Sequence, residues 1–154
     1  MQVGIKKIHE NEWQVHIGFA AIKIDRFSLA LLQITLEHLL ALERGEKHST
    51  LQSYIKLGMR MKKLSQNHLQ TLLRVLNSSD LVVLLRLAED ETFINLVLEN
   101  SGAIISKQIS RDLQEAPMAD EESAKNAIRR IVEKTFELQA LGKIEFTNEE
   151  TRYI

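Results

Sequence analysis

Residues 69–89 read LQTLLRVLNSSDLVVLLRLAE. The leucines at 69, 72, 73 and 76 recur every three or four positions, the spacing of one face of a helix. The segment NSSD follows at 77–80, and its side chains can accept hydrogen bonds from the free amides of a new helix. A second apolar run then extends from Leu81 to Leu87. This stretch therefore predicts two short helices joined by a tight turn, with Ser78 or Ser79 opening the second.

The same pattern continues on both sides of that stretch. Residues with capping side chains precede further apolar runs, and we predict that they open helices: Ser49 or Thr50, Ser65, Asp90, Ser101 and Asp120. Gly142 is predicted to end the last helix, and residues 143–146 are predicted to form a short strand. Short helices with tight links predict, for residues 49–154, a compact, armadillo-like, right-handed array of helix pairs.

The N-terminal residues carry a different pattern. Residues 1–24 predict a β-hairpin, because apolar residues occupy every second position from Trp13 to Ala21 and a shorter alternation begins at Val3. Asp25 is the predicted N-cap of a leucine-rich helix, Phe27–Glu43, which is apolar on nearly all sides. Residues 1–48 are thus a predicted domain of hairpin and long helix, and the fold class predicted for the chain is α+β, mainly α. Two strands are marginally stable alone, so we expect other parts of a structure to cover this domain. The cover would come either from the helical half of the chain or from a second copy, as a homodimer through the hairpin and helix.

Composition excludes several classes of function. The chain has 154 residues and no cysteine, which excludes disulfides, thiolate metal sites and a cysteine nucleophile. The longest apolar run, Leu81–Leu85, is far shorter than the roughly 20 residues that cross a bilayer. The first residues do not read as a secretion signal, so we expect a cytoplasmic location. Charge is uneven: residues 1–64 hold 10 basic and 6 acidic side chains (+4), leaving 10 basic and 15 acidic for residues 65–154 (−5).

No catalytic or metal-binding constellation is recognisable. Five histidines are present, at positions 9, 16, 38, 48 and 68, and His9 could meet His16 across the hairpin, but nothing completes a ligand set. We therefore predict no enzyme activity, no cofactor, no metal and no small-molecule substrate. A basic cluster, Lys56, Arg60, Lys62 and Lys63, could neutralise phosphates of a nucleic acid or an anionic membrane surface. The competing interpretation is a solvated helix face that pairs with the acidic half of the chain.

Residues 64–146 resemble the C-terminal domain of the flagellar motor switch (rotor) protein FliG. The resemblance rests on residues 69–89, on LEN at 98–100, on SRDL at 110–113, on Pro117 and on the ending LGKI at 141–144. It implies a helical, non-enzymatic domain in which charged side chains on one exposed helix meet opposite charges on the stator. The family's hinge motif, Met-Phe-X-Phe, is absent from its expected place at residues 55–58, and the family's middle domain is absent as well.

Carried over by position, the resemblance assigns partner binding to three residues. Arg86 keeps a basic position, Asp112 keeps one of two adjacent acids, and Arg111 stands where the other acid is expected. Two further positions are basic in the family, and here they are occupied by Ile104 and by Ala119 or one of its neighbours. Our first hypothesis is a protein-interaction module at or near the flagellar motor, with a rotor or stator component as partner and a location at the membrane-proximal flagellar base. The alternatives are a stand-alone adaptor outside motility, and a nucleic-acid or membrane-surface binder that uses the basic cluster.

Overall fold

The computed structural model describes residues 1–39, 43–45 and 49–146. The chain divides into two compact units, Met1–Ser49 and Thr50–Ile154. Each unit is described by itself below. The mainly helical α+β class is confirmed, because strands lie only in the first unit of the described chain and helices make up most of the second.

Within the described residues, the first unit is an antiparallel meander of three strands followed by one helix. Strands β1 (Val3–His9), β2 (Glu12–Ile17) and β3 (Ala20–Asp25) lie in the order β1-β2-β3. The sequence predicted a hairpin with one strand from Trp13 to Ala21, and that strand is instead divided by a two-residue turn at Gly18 and Phe19. Gly18 has φ of +60°, a conformation that glycine adopts without steric cost and that suits a tight hairpin turn.

The strand register places the apolar side chains of the meander on one face. Ile5 lies opposite Val15, and Val15 lies opposite Ile22. Helix α1 (Arg26–Glu37) buries Phe27 and Ile34, and Val15 is 8% exposed. Trp13 and Ile24 on this face are half-buried. Four other apolar side chains of the face are much more exposed: Val3 69%, Ile5 55%, Ile17 47% and Ile22 56%. One half of the apolar face is therefore covered and the other half is open.

Asp25 caps α1 as predicted, accepting a hydrogen bond from the Ser28 amide at 2.7 Å. Helix α1 ends at Glu37, before the predicted end at Glu43, and His38 interrupts the predicted helix. Leu39 and Glu43 have helical backbone again. At the end of α1, the His38 amide donates to the Thr35 carbonyl at 3.1 Å, which closes a tighter last turn. Residues 40–42 of the predicted helix lie outside the described residues.

The second unit is an array of short helices packed around one long helix. Its elements are α2 (Thr50–Met59), a 3-10 turn (Arg60–Lys63), α3 (Gln66–Val75), α4 (Ser78–Ala88), α5 (Glu91–Asn100), α6 (Ala103–Glu115) and α7 (Glu121–Ala140). Helix α7 packs on α4 and α2, where Ile128, Leu84 and Leu85 are fully buried. Gly58 permits this packing, because a Cβ there would lie 2.9 Å from both Leu84 methyl groups.

The predicted helix caps are partly correct. Ser65, Asp90 and Asp120 each accept a hydrogen bond from an amide in the first turn of α3, α5 and α7. The prediction of Ser78 or Ser79 is wrong, because Asn77 caps α4 through a 2.9 Å bond from the Ser79 amide. Ser101 does not open α6 as predicted, because it ends α5 and its hydroxyl donates back to the Val97 carbonyl. Gly102 opens α6 without a side-chain bond.

Residues 143–146 do not form the predicted strand. After α7, Gly142 adopts φ of +72°, as expected for a residue that ends a helix. Ile144 is buried at 2% exposure, and the Glu145 amide donates to Nδ1 of His68 at 3.1 Å. The segment is thus held by a buried isoleucine and a histidine side chain rather than by a strand ladder.

Candidate protein-docking surface

Arg86 joins the end of α4 to the end of α6. Its Nη2 donates to the Asp112 carbonyl at 2.8 Å and to the Leu113 carbonyl at 3.0 Å, and its Nε donates to the same Leu113 carbonyl at 3.2 Å. Nη1 lies 3.6 Å from Sδ of Met118. The last four carbonyls of a helix lack partners within it. The half-buried Arg86 side chain therefore caps the C-terminal end of α6.

The other two predicted site residues lie on the last turns of α6. Asp112 is half-buried and lies beside Arg86, but the guanidinium contacts its main-chain carbonyl. Arg111 is exposed and is not part of the cavity that Arg86 and Asp112 share. The structure thus brings Arg86 and Asp112 together and places Arg111 next to them on the outer side of α6.

A groove of about 250 Å³ lies between α4 and the residues that connect α6 to α7. Val82, Val83 and Leu87 line one wall, and the segment 116–119, which includes Pro117 and Met118, lines the other. We call this feature the Pro117 groove. Met118 is 69% exposed at its edge. The groove is mainly apolar, with the Arg86 and Asp112 side chains among its lining residues.

A salt bridge between α4 and α7 fixes the position of α4. Nη2 and Nε of Arg130 donate to the two carboxylate oxygens of Asp80 at 2.8 and 3.0 Å. Asp80 is 6% exposed, and its hydrogen bonds raise the pKa of Arg130. A two-point contact of this kind restricts orientation as well as distance, so α4 is held firmly against α7.

A second, wider depression of about 590 Å³ lies at the start of α6, between the ends of α3 and α5. Leu73, Leu76 and Ile105 contribute apolar surface to it, and Arg74 and Glu99 contribute charge. The neighbouring Ile104 is 83% exposed. The position that the resemblance expects to be basic is therefore an exposed isoleucine.

The basic cluster is partly neutralised. Nζ of Lys62 lies 2.6 Å from Oδ2 of Asp90, and Lys56 and Lys63 are exposed. The hydrogen bond from Lys62, followed by that from the Phe93 amide, holds the pKa of Asp90 below its ordinary value. One of the four cations thus pairs with the acidic half of the chain, as the solvated-face interpretation expects.

The histidines are not arranged as metal ligands. His9 lies opposite Glu12 and His16 lies opposite Gly4, so the expectation that they could meet across the hairpin is wrong. Among residues 1–39, 43–45 and 49–146, no group of three or more histidine, aspartate or glutamate side chains is placed to hold a metal ion. His48 lies outside the described residues.

A comparison with protein families finds a match to the FliG C-terminal domain over residues 59–146, more than half of the chain. The chain belongs to the FliG C-terminal domain family. No match was found among curated proteins or among solved structures. The FliG C-terminal domain is a non-enzymatic motor-switch domain, so this chain contains a protein-interaction module related to the flagellar motor switch.

Helices α3 to α7 of this FliG-type domain lie within the matched residues. In the described part of the chain, no helix combines the length and apolar character that crossing a membrane requires. Sequence reasoning named Arg86, Arg111 and Asp112 but did not find the Pro117 groove. One feature of the sequence could have indicated the groove. Residues 116–119 are small or apolar and include Pro117, but they lack the leucines of a core segment.

Proposed function

We propose that the chain is a flagellar motor-switch module that docks a rotor or stator component in the cytoplasm, at the membrane-proximal base of the flagellum. The observation that carries this proposal is the family match, which covers α3 to α7 and includes the surface around α6. Arg111 and Asp112 supply exposed or half-exposed charge on this surface. We propose that Arg86 contributes by holding the end of α6 in place, since its donors contact main-chain carbonyls.

The test is binding of the full chain to purified rotor proteins and to the cytoplasmic segment of a stator subunit from the same cells. Charge reversal at α6, Arg111→Glu with Asp112→Arg, is expected to weaken binding about tenfold or more, because close charge pairs across an interface couple by about 1.5 kcal/mol or more. Lys63→Glu is the matched control, since Lys63 is an exposed cation outside α6. No binding to any rotor or stator component would contradict the flagellar assignment.

The same control addresses the nucleic-acid or membrane alternative. If the chain binds phosphates through the basic cluster, Lys63→Glu will weaken its retention on DNA or on anionic vesicles, and retention will fall steeply with added salt. The adaptor alternative, outside motility, is favoured by residues 1–58, which lie outside the family match. Its test is the set of proteins encoded beside this one: neighbours without flagellar components would favour it.

We also propose that the first unit pairs with a second copy through the open half of its apolar sheet face. The four exposed side chains there are aliphatic, so an identical face on another copy would match them. Lys7 lies on the same face, but its ammonium sits over the Trp13 ring, 5.6 Å from the ring centre. Sedimentation of the chain over a range of concentrations should show a dimer, and Ile5→Lys should remove it. Lys6→Glu is the control, because neighbouring positions of a strand face opposite sides of the sheet. A monomer at every concentration would refute this pairing.

A further inference from the structure

We propose that the Pro117 groove takes a protein segment that carries one large apolar side chain flanked by lysines or arginines. This inference rests on the docking function proposed above and specifies the chemistry of its partner. Three properties of the groove lead to it: its size, its apolar walls and the acidic residues beside it.

The size of the groove suits a side chain rather than a metabolite. Its volume of about 250 Å³ lies below the roughly 300–1,000 Å³ of most small-molecule and cofactor sites. Val82, Val83 and Leu87 form an apolar wall on a helix that the Asp80–Arg130 salt bridge holds in place. Met118 forms part of the opposite wall, and a methionine can adjust its unbranched side chain to an inserted group.

The charge beside the groove is negative. Residues 111–122 contain one basic side chain, Arg111, and five acidic ones: Asp112, Glu115, Asp120, Glu121 and Glu122. Hydrogen bonds from the amide and the hydroxyl of Ser123 lower the pKa of Asp120, so this carboxylate stays ionised at neutral pH. Glu121 pairs with Lys125, whose Nζ lies 3.5 Å from its carboxylate. The other four acids outnumber the two arginines there, Arg86 in the lining and Arg111 next to Asp112.

The contacts of Arg86 indicate which charge the partner segment should carry. Its guanidinium donates to the Asp112 and Leu113 carbonyls, so its donors serve the end of α6. An acidic partner segment would have to displace these bonds and approach the carboxylate of Asp112 in the lining. A basic segment would meet Asp112 in the lining, the acidic residues that lie next to the lining in sequence, and apolar side chains inside the groove. Charge at the edge with an apolar centre is the arrangement of a typical docking site. Phosphates of nucleic acids and anionic lipids are disfavoured for the same reason.

The experiment measures binding of labelled synthetic amphipathic peptides to the full chain by fluorescence anisotropy. One peptide carries a leucine face flanked by lysines, a second replaces its lysines by glutamates, and a third replaces its leucines by alanines. We expect only the first to bind well, with amide shifts in nuclear magnetic resonance spectra confined to residues near Val83 and Met118. Met118→Lys should weaken its binding about tenfold or more, which corresponds to about 1.4 kcal/mol. Ile104→Lys is the matched control, because it adds the same charge at an exposed apolar side chain that does not line the groove.

Several outcomes would overturn the inference. These are equal binding of the glutamate or alanine peptides, equal weakening by the two lysine variants, or displacement of the peptide by DNA or by anionic vesicles. The proposed docking function and the proposed role of the groove can be refuted independently of each other. Peptide binding as expected, with no binding of rotor or stator components, would refute the flagellar assignment alone. Equal affinity of wild type and Met118→Lys for such a component would refute the groove alone.

Discussion

Replacing Arg86 tests whether this residue is a structural cap or a docking charge. Its guanidinium makes three hydrogen bonds of 3.2 Å or less to the Asp112 and Leu113 carbonyls, and Arg86→Ala removes all of them. Hydrogen bonds that involve a charged group contribute about 1.5–3 kcal/mol net. Arg86 is only half-buried, and two of its bonds share one acceptor, so the three contributions should not simply add. We expect Arg86→Ala to lower the free energy of unfolding by about 2 kcal/mol. With a urea m-value of about 2 kcal/mol/M, the unfolding midpoint should fall by about 1 M.

Two further variants separate the two roles. Arg86→Lys keeps the positive charge but loses the planar fork, so it should recover only part of the lost stability. Arg111→Ala is the control, because Arg111 is an exposed arginine of the same surface, and its effect should stay within about 0.5 kcal/mol. The assay is urea unfolding followed by circular dichroism, with hydrogen exchange at the Ala116 amide as a local probe of the end of α6. If Arg86→Ala unfolds at the same urea concentration as Arg111→Ala, the capping role is refuted.

Three other substitutions have expected outcomes. Gly58→Ala should destabilise the chain by about 1 kcal/mol in thermal or urea unfolding, because overpacking against Leu84 outweighs the gain in helix propensity, and adding Leu84→Val should reduce that loss. Glu89→Gly should raise the free energy of unfolding by a few tenths of a kcal/mol or more, because Glu89 has φ of +49° at the end of α4; an unchanged or lower value would contradict this. The lowered pKa of Asp90 means that its contribution to stability is complete above about pH 4 and is lost as the pH falls through the folded-state pKa. The unfolding midpoint, measured at a series of pH values, should therefore fall less steeply on the acid side in Asp90→Asn than in the wild type. An unchanged pH profile would exclude a role for the Lys62 pair.

The parts of the fold that sequence reasoning predicted depend on local chemistry. Asp25, Asp90 and Asp120 each cap a helix whose first amides are only three residues away, so the residue type and its place before an apolar run are enough. Gly142 is similar, since a positive φ after a helix is a property of one residue. Errors arose where two neighbouring side chains compete for one role, as at Asn77 and Ser78, or where alternation continues across a turn, as at Gly18.

The candidate site was predictable only in part, because it is built from residues distant in sequence. The resemblance named Arg86, Arg111 and Asp112, but no local pattern indicates that a guanidinium on α4 reaches carbonyls 26 and 27 positions later. The Pro117 groove likewise needs Val83 and Met118 to meet, and their distance follows from how α6 and α7 pack on α4. For the same reason the sequence could not show that Ile104 is exposed at the start of α6.

The open edges of the meander affect how the chain behaves at high concentration. Within the described residues, no strand pairs with the outer sides of β1 and β3, so their main-chain amides and carbonyls could recruit another strand. Lys6 and Lys7 lie on β1, and Lys23 lies on β3. Lysines on edge strands oppose ribbon growth, because stacking like strands would bring their ammonium groups together. We therefore expect these three lysines to oppose aggregation, and neutralising them to favour fibrils over a defined assembly.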